Sequence, residues 1–157
     1  VTTSTTTSFP PILLVEDSDD DVFFMQRAVK AAGIPNPLHV VIDGSEALDY
    51  LQRRNAYAEA GKAPRPGLIL LDLKLPRLRG MDVLKWIREQ KDLATIPIIV
   101  LTSSNQGHDL EAAYALGANS FLMKPSDVGK LTKMMMSLKS YWLEHDQFHS
   151  KGSRGLK

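Results

Sequence analysis

The chain contains no cysteine. Disulfide frameworks, thiolate zinc sites, iron–sulfur clusters and cysteine nucleophiles are therefore excluded. It has no excess of either charge: 19 Lys and Arg stand against 18 Asp and Glu. That balance leaves no electrostatic footprint for DNA, RNA or an anionic membrane. No apolar run approaches the length of a membrane span, and the first residues lack the charged-then-apolar layout of a signal peptide. The signatures G-x-x-x-x-G-K-[ST], G-x-G-x-x-G and G-x-S-x-G are missing. The four histidines, His39, His108, His145 and His149, lack ligand spacing. These absences lead us to expect a cytoplasmic protein with neither a nucleic-acid nor a membrane partner.

What is present is an ordinary globular composition, 157 residues with 43% hydrophobic content, enough for one domain with a full core. Residues 1–9, a Thr/Ser tract, and residues 145–157 read as flexible tails around a folded domain at 10–144. Within it, short apolar runs alternate with helical patterns. Ile12–Val15, Leu38–Ile42, Leu68–Leu71, Ile96–Leu101 and Ser120–Met123 read as strands. Runs apolar at every position suit strands buried on both faces. Ser18 is placed to cap a helix reaching about Ala32, which Gly33 and Pro35 end. Further helices follow each later strand, the last from Asp127 to about Glu144, and Asn55–Pro66 reads as a long surface connection. Five alternations of this kind predict right-handed βαβ units around a parallel sheet, an α/β fold.

In such a sheet ligands bind beyond the carboxyl ends of the strands. The strands run into Glu16 and Asp17, into Asp72, into Thr102 and Ser103, and into Lys124 and Pro125. Five of the six residues from 16 to 21 are carboxylates. Asp19, Asp20 and Asp21 fall in a helix's first turn, where the dipole favours them. Glu16, Asp17 and Asp72 have no such explanation, and like charges gathered at one site call for a cation. Oxygen-only ligands select Mg²⁺ or Ca²⁺. An EF-hand loop fails: Asp17, Asp19 and Asp21 match its first, third and fifth positions, but Val22 stands where glycine is needed and Ala28 where glutamate is needed. An open Mg²⁺ site beside a carboxylate, with a lysine and a hydroxyl, suits phosphoryl transfer to Asp72.

The stretches LLVEDS (13–18), LLDLKLPRLRGMD (70–82), VLTSS (100–104) and FLMKPSD (121–127), in this order, resemble the receiver domain of two-component response regulators. The resemblance spans roughly Pro11 to Glu144. It implies a CheY-like, flavodoxin-like doubly wound (βα)5 fold with strand order 2-1-3-4-5. It implies Asp72 as phosphoacceptor and a Mg²⁺ site, with Mn²⁺ as the alternative ion, formed by Glu16, Asp17, Asp72 and the backbone carbonyl of Lys74. Thr102 and Ser103 would contact the phosphate with Lys124, and Phe121 would be the aromatic that moves with Thr102. Lys124–Pro125 would be a cis peptide, and Pro76 and Gly80 would shape the loop after the acceptor. Lys74 and Ser104 hold the positions that tune phosphate lifetime in this family, and neither is a strong water-orienting group, so slow self-dephosphorylation is expected.

Such a protein is a phosphoacceptor in signalling, catalysing only its own phosphorylation and dephosphorylation, with a sensor histidine kinase as partner. DLKLP, the long connection at 55–66 and the late SYWLEH (140–145) resemble the single-domain regulators that partner bacterial phytochromes. In the last helix Val128, Leu131, Met134, Met135, Leu138, Tyr141 and Trp142 share one broad face, leaving Met136 and Leu143 opposite. That remainder suggests a homodimer through this helix and neighbouring strands. Two rivals are a phosphorylation-independent docking module and a phosphatase passing through an aspartyl phosphate. The presence of Glu16, Asp17, Asp72 and Lys124 counts against the first. Lys74, where the second class has another aspartate, counts against the second.

Overall fold

A computed structural model describes residues 9–103 and 107–144. Five strands, β1 (Ile12–Val15), β2 (Leu38–Val41), β3 (Leu68–Asp72), β4 (Ile98–Thr102) and β5 (Ser120–Met123), form one parallel sheet in the order β2-β1-β3-β4-β5. Five helices alternate with them: α1 (Asp19–Ala31), α2 (Gly44–Gln52), α3 (Gly80–Glu89), α4 (Gly107–Ala115) and α5 (Val128–Leu138). The expected flavodoxin-like topology is the observed one.

The all-apolar strands are explained by their two packed faces. Leu13, Val15, Ile69, Leu71, Ile98 and Val100 point into a core shared with α2, α3 and α4. The alternate residues Ile12, Leu14, Leu68, Leu70, Ile99 and Leu101 pack against α1 and α5. Side chains of a strand alternate between faces, so burying both faces requires apolar residues at every step.

Local chemistry sets the helix ends. Ser18 caps α1 by accepting from the Asp21 amide at 3.3 Å. Asp43 caps α2 and Asp127 caps α5, each side chain accepting from a backbone amide three residues on. Residues 55–66 are less of a free surface connection than their composition predicts. A 3-10 turn at Asn55–Tyr57 sets the Tyr57 ring 5.1 Å from Tyr50, and Tyr57 Oη donates to Glu46 at 2.7 Å. Tyr50 Oη donates to the Pro64 carbonyl at 2.9 Å and Ala63 is buried.

The last helix is shorter than its pattern predicts. The α-helical winding ends at Leu138, and Lys139–Glu144 continue as a π-helix. The wider turn changes the angular step, so the face predicted from α-helical spacing does not persist. Trp142 still packs on the α1–α5 core, but Tyr141 is 62% exposed. Met136 is exposed as expected, and the side chain of Leu143 lies outside the described residues.

Away from the strands' carboxyl ends, Arg88 ties three segments together. Its guanidinium donates to the carbonyls of Gly117 (2.8 Å), Ala94 (2.8 Å) and Ile96 (2.7 Å) and to Asn119 Oδ1 (2.7 Å), which also accepts from the Ile98 amide at 2.8 Å. Lysine cannot reproduce this planar fork. Arg88→Ala and Arg88→Lys are each expected to lower unfolding free energy by roughly 1–3 kcal/mol, because bonded carbonyls lose their donor. The check is the urea midpoint at unchanged m-value.

Candidate functional site

The strand order creates the site. The chain leaves β1 toward one edge for β2 and returns past β1 to form β3, so the connections following β1 and β3 diverge and open a crevice there. Val15 pairs with Leu71, which sets Glu16 beside Asp72 one step later. Oxygens of Glu16, Asp17 and Asp72 all lie within 4.8 Å of one another. Glu16 and Asp72 are buried, while Asp17 is exposed, so the cluster has a dry floor and one open side.

Lys124 reaches in from the end of β5. Its Nζ lies 2.6 Å from Glu16 Oε1, 2.9 Å from Asp21 Oδ2 and 3.0 Å from Asp72 Oδ2. Asp72 Oδ1 is held separately by the Lys74 amide at 3.0 Å. Glu16 Oε2 accepts from the Ser18 amide at 3.2 Å, joining the cluster to the cap of α1.

Burial pushes the Glu16 carboxyl up to about 7, and the charge of Asp72 adds to this while Lys124 opposes it. Burial pulls the Lys124 ammonium down, but its bonds to Asp21, Glu16 and Asp72 outweigh that and leave it raised. The site thus holds one firmly protonated ammonium and a floor carboxyl that gives up its proton near neutrality. An added divalent cation is well matched to such a donor set: oxygens only, mostly anionic, with space on the Asp17 side.

Thr102 ends β4, buried, and its carbonyl accepts from the Lys124 amide at 2.8 Å. Ser103 follows it, exposed. Asp72 pairs with Leu101, so Thr102 lies one step beyond the level of Asp72 on the neighbouring strand. Phe121 is not part of the cluster. It pairs with Val100, packs half-buried on the α2–α4 side, and its amide donates to Tyr114 Oη at 3.2 Å. Ser104 lies outside the described residues.

Gly80 has a steric reason. A Cβ there would strike the Asp72 carbonyl oxygen and come within 2.8 Å of Leu73 Cα. The start of α3 is pressed against the backbone that carries Asp72, and only glycine permits that approach. Pro76 is exposed in the same loop, between buried Leu75 and Arg77, which has φ 66°.

Two readings need correction. The Lys124–Pro125 bond is trans, since the described residues contain no cis peptide. Even before proline trans is favoured by about 0.5–1 kcal/mol, and Lys124 reaches its partners from that isomer. Asp21 was assigned only to the helix dipole, yet its carboxylate lies on Lys124. The missed signal was position: residue 21 lies in the first turn of α1, directly after the Ser18 cap, and that turn stands at the rim of the crevice.

Comparison with known proteins agrees with this geometry. The family model described as "Response regulator receiver domain" matches residues 12–136. Response regulator Rcp1 of Synechocystis sp. is 42% identical over 120 residues, covering 76% of this chain and 80% of that protein. The crystal structure of the Mn²⁺-bound form of Rcp1 superposes with TM-score 0.77 at 41% identity, covering 86% of this chain and 95% of the other. That of the phosphorylated cyanobacterial phytochrome response regulator RcpA gives TM-score 0.79 at 34% identity, covering 87% and 95%. No described helix is long and apolar enough to cross a membrane. The fold, the acidic crevice and these likenesses lead to one conclusion: the chain belongs to the response regulator receiver family and is a signalling domain of a two-component system.

Proposed function

We propose that this chain accepts a phosphoryl group onto Asp72 from the phosphohistidine of a sensor kinase and transmits the signal by changing its binding partners. The observation that carries this reading is the convergence of Lys124 Nζ with Asp72 and Glu16, brought from three strands to one crevice. An Asp72 carboxylate oxygen attacks phosphorus. The new O–P bond forms as the N–P bond breaks, and the electron pair left on the imidazole takes a proton from solvent. Lys124, already within reach of Asp72 Oδ2, neutralises charge on the transferred group, and the Lys74 amide fixes the orientation of Asp72 through its other oxygen.

Glu16, Asp17, Asp72 and the Lys74 carbonyl would hold Mg²⁺, or Mn²⁺ in its place. Such an ion would supply positive charge to offset that on the phosphoryl oxygens. The Thr102 hydroxyl, seconded by Ser103, closes on the phosphoryl group, and Phe121, whose amide donates to Tyr114 Oη, follows it. The affected surface is that of α4, β5, α5 and the π-helical turn after it, where Leu110, Tyr114, Met123, Met136 and Tyr141 are exposed. Exposed methionine and aromatic side chains at an edge strand support a homodimer through this face. RcpA is described as a phytochrome response regulator, and its likeness supports a phytochrome kinase as input. The receiver catalyses only its own phosphorylation and hydrolysis, and Lys74 with Ser104 favours slow hydrolysis.

Incubation with acetyl phosphate and Mg²⁺ is expected to give a single phosphoryl adduct by intact mass, acid-stable and base-labile. It is absent in Asp72→Asn and without metal. Failure of the wild type to form it would refute the assignment.

Metal affinity carries a pH signature. The Glu16 carboxyl is raised from 4.5 to about 7, so below that value the folded site holds a proton that a cation must displace. Calorimetric Mg²⁺ affinity is expected to rise between about pH 6 and pH 8 and then level off, with proton release on binding, and Glu16→Gln to flatten the profile. In the metal-free protein the same group acts oppositely on stability. Its folded pKa lies above the unfolded value, so its contribution is fully present below 4.5 and is lost as pH rises through about 7.

Light scattering at high protein concentration, with and without phosphorylation, is expected to report a dimeric mass, and Met136→Glu to lower it.

A further inference from the structure

The Lys124 ammonium has three N–H donors and no acceptor. In the structure those donors face three carboxylates, Glu16, Asp21 and Asp72, at 2.6, 2.9 and 3.0 Å. Phosphorylation esterifies Asp72 and releases the N–H it held, so the phosphoryl oxygens share Lys124 with Glu16 and Asp21, and a second N–H reaches them only where one of these two yields. Glu16 and Asp21 are not equivalent. The side chains of Glu16 and Asp72 are 3% and 6% exposed, whereas that of Asp21 is 42% exposed. A carboxylate left buried without its donor carries the full desolvation cost, while one at the surface is rehydrated.

We propose that Asp21 is a positioning residue that acts through Lys124: its carboxylate holds, in the resting protein, the second N–H that the phosphoryl group takes, and it is the partner that yields. This rests on the reading of Asp72 as phosphoacceptor. Asp21 is held for this role from both sides. Its amide is bonded to Ser18 Oγ at 3.3 Å, which fixes the first turn of α1, and its carboxylate crosses to the end of β5. Asp20 precedes it in the same turn, is exposed, and is not among the ion-pair partners of Lys124. Asp21 therefore works as an internal competitor. It keeps Lys124 neutralised and oriented before phosphorylation and weakens the grip on the phosphoryl group afterwards.

The test uses beryllofluoride as the phosphoryl stand-in, titrated onto the full chain at fixed Mg²⁺ and followed by fluorine NMR of the bound species. Asp21→Asn is expected to lower the half-saturating concentration roughly two- to fivefold, the range of an exposed ion pair, and Asp21→Ala to do the same. Asp21→Glu is expected to stay near wild type, and Asp20→Asn, which removes the same charge from the same turn, to leave it unchanged. In a Lys124→Gln background the Asp21→Asn effect should vanish. An Asp21→Asn curve equal to or weaker than wild type overturns the proposal. So does an equal shift in Asp20→Asn, or a shift that survives without Lys124, since either marks a general field effect. A wild type that binds no beryllofluoride would instead overturn the phosphoacceptor reading itself.

Discussion

One half-buried ammonium, that of Lys124, determines much of this site's arrangement. Glu16 and Asp72 are carboxylates in a nearly dry crevice, and placing two such charges beside each other without compensation would be strongly unfavourable. Lys124 supplies the compensation, from the end of a strand two places from that of Asp72 and three from that of Glu16. Its side chain has to cross the end of β4, and its amide is tied there by the Thr102 carbonyl. The ion pairs thereby couple the first, third and fifth strands at their carboxyl ends. They make the local arrangement of the site depend on its charge state, which is a property a phosphorylation switch needs.

The same centre explains why the crevice favours an added cation. A single ammonium does not balance Glu16, Asp21, Asp72 and the exposed Asp17. Glu16 feels both burial and this excess: burial first, and then the charge of Asp72, raise its carboxyl to about 7 despite a 2.6 Å contact with Lys124. The excess negative charge is an energetic cost that a divalent cation is suited to offset.

The sequence made the fold legible because its strands are apolar at nearly every step and Ser18 marks the start of the first helix, while the caps Asp43 and Asp127 emerged only in the structure. The site was legible in Glu16, Asp17, Asp72 and Lys124 because chemistry at strand ends has one place to go in a doubly wound sheet. Strand order came from the family likeness alone, since periodicity carries no information on which strands are neighbours. The π-helical turn after Leu138 was not legible, because its residues fit an α-helical pattern and the change in winding is decided by packing. The isomer before Pro125 was misread for a related reason: the resemblance transmits a family habit, while this backbone reaches its partners in trans.

Asp21 is the more instructive miss. A carboxylate in the first turn of a helix has a sufficient local explanation in the dipole. That explanation is compatible with a second role, because the charge that suits the helix terminus can also face a cation across the crevice. Sequence reading assigns one cause per residue, whereas α1 begins at the rim of the site, so whatever stabilises its first turn also enters the site's electrostatics. Where a helix starts at a charged crevice, capping and first-turn residues therefore belong to the chemistry of the crevice. Ser18 follows the same logic: its hydroxyl caps α1 while its amide holds Glu16, so the floor of the site and the start of the helix are fixed by one residue.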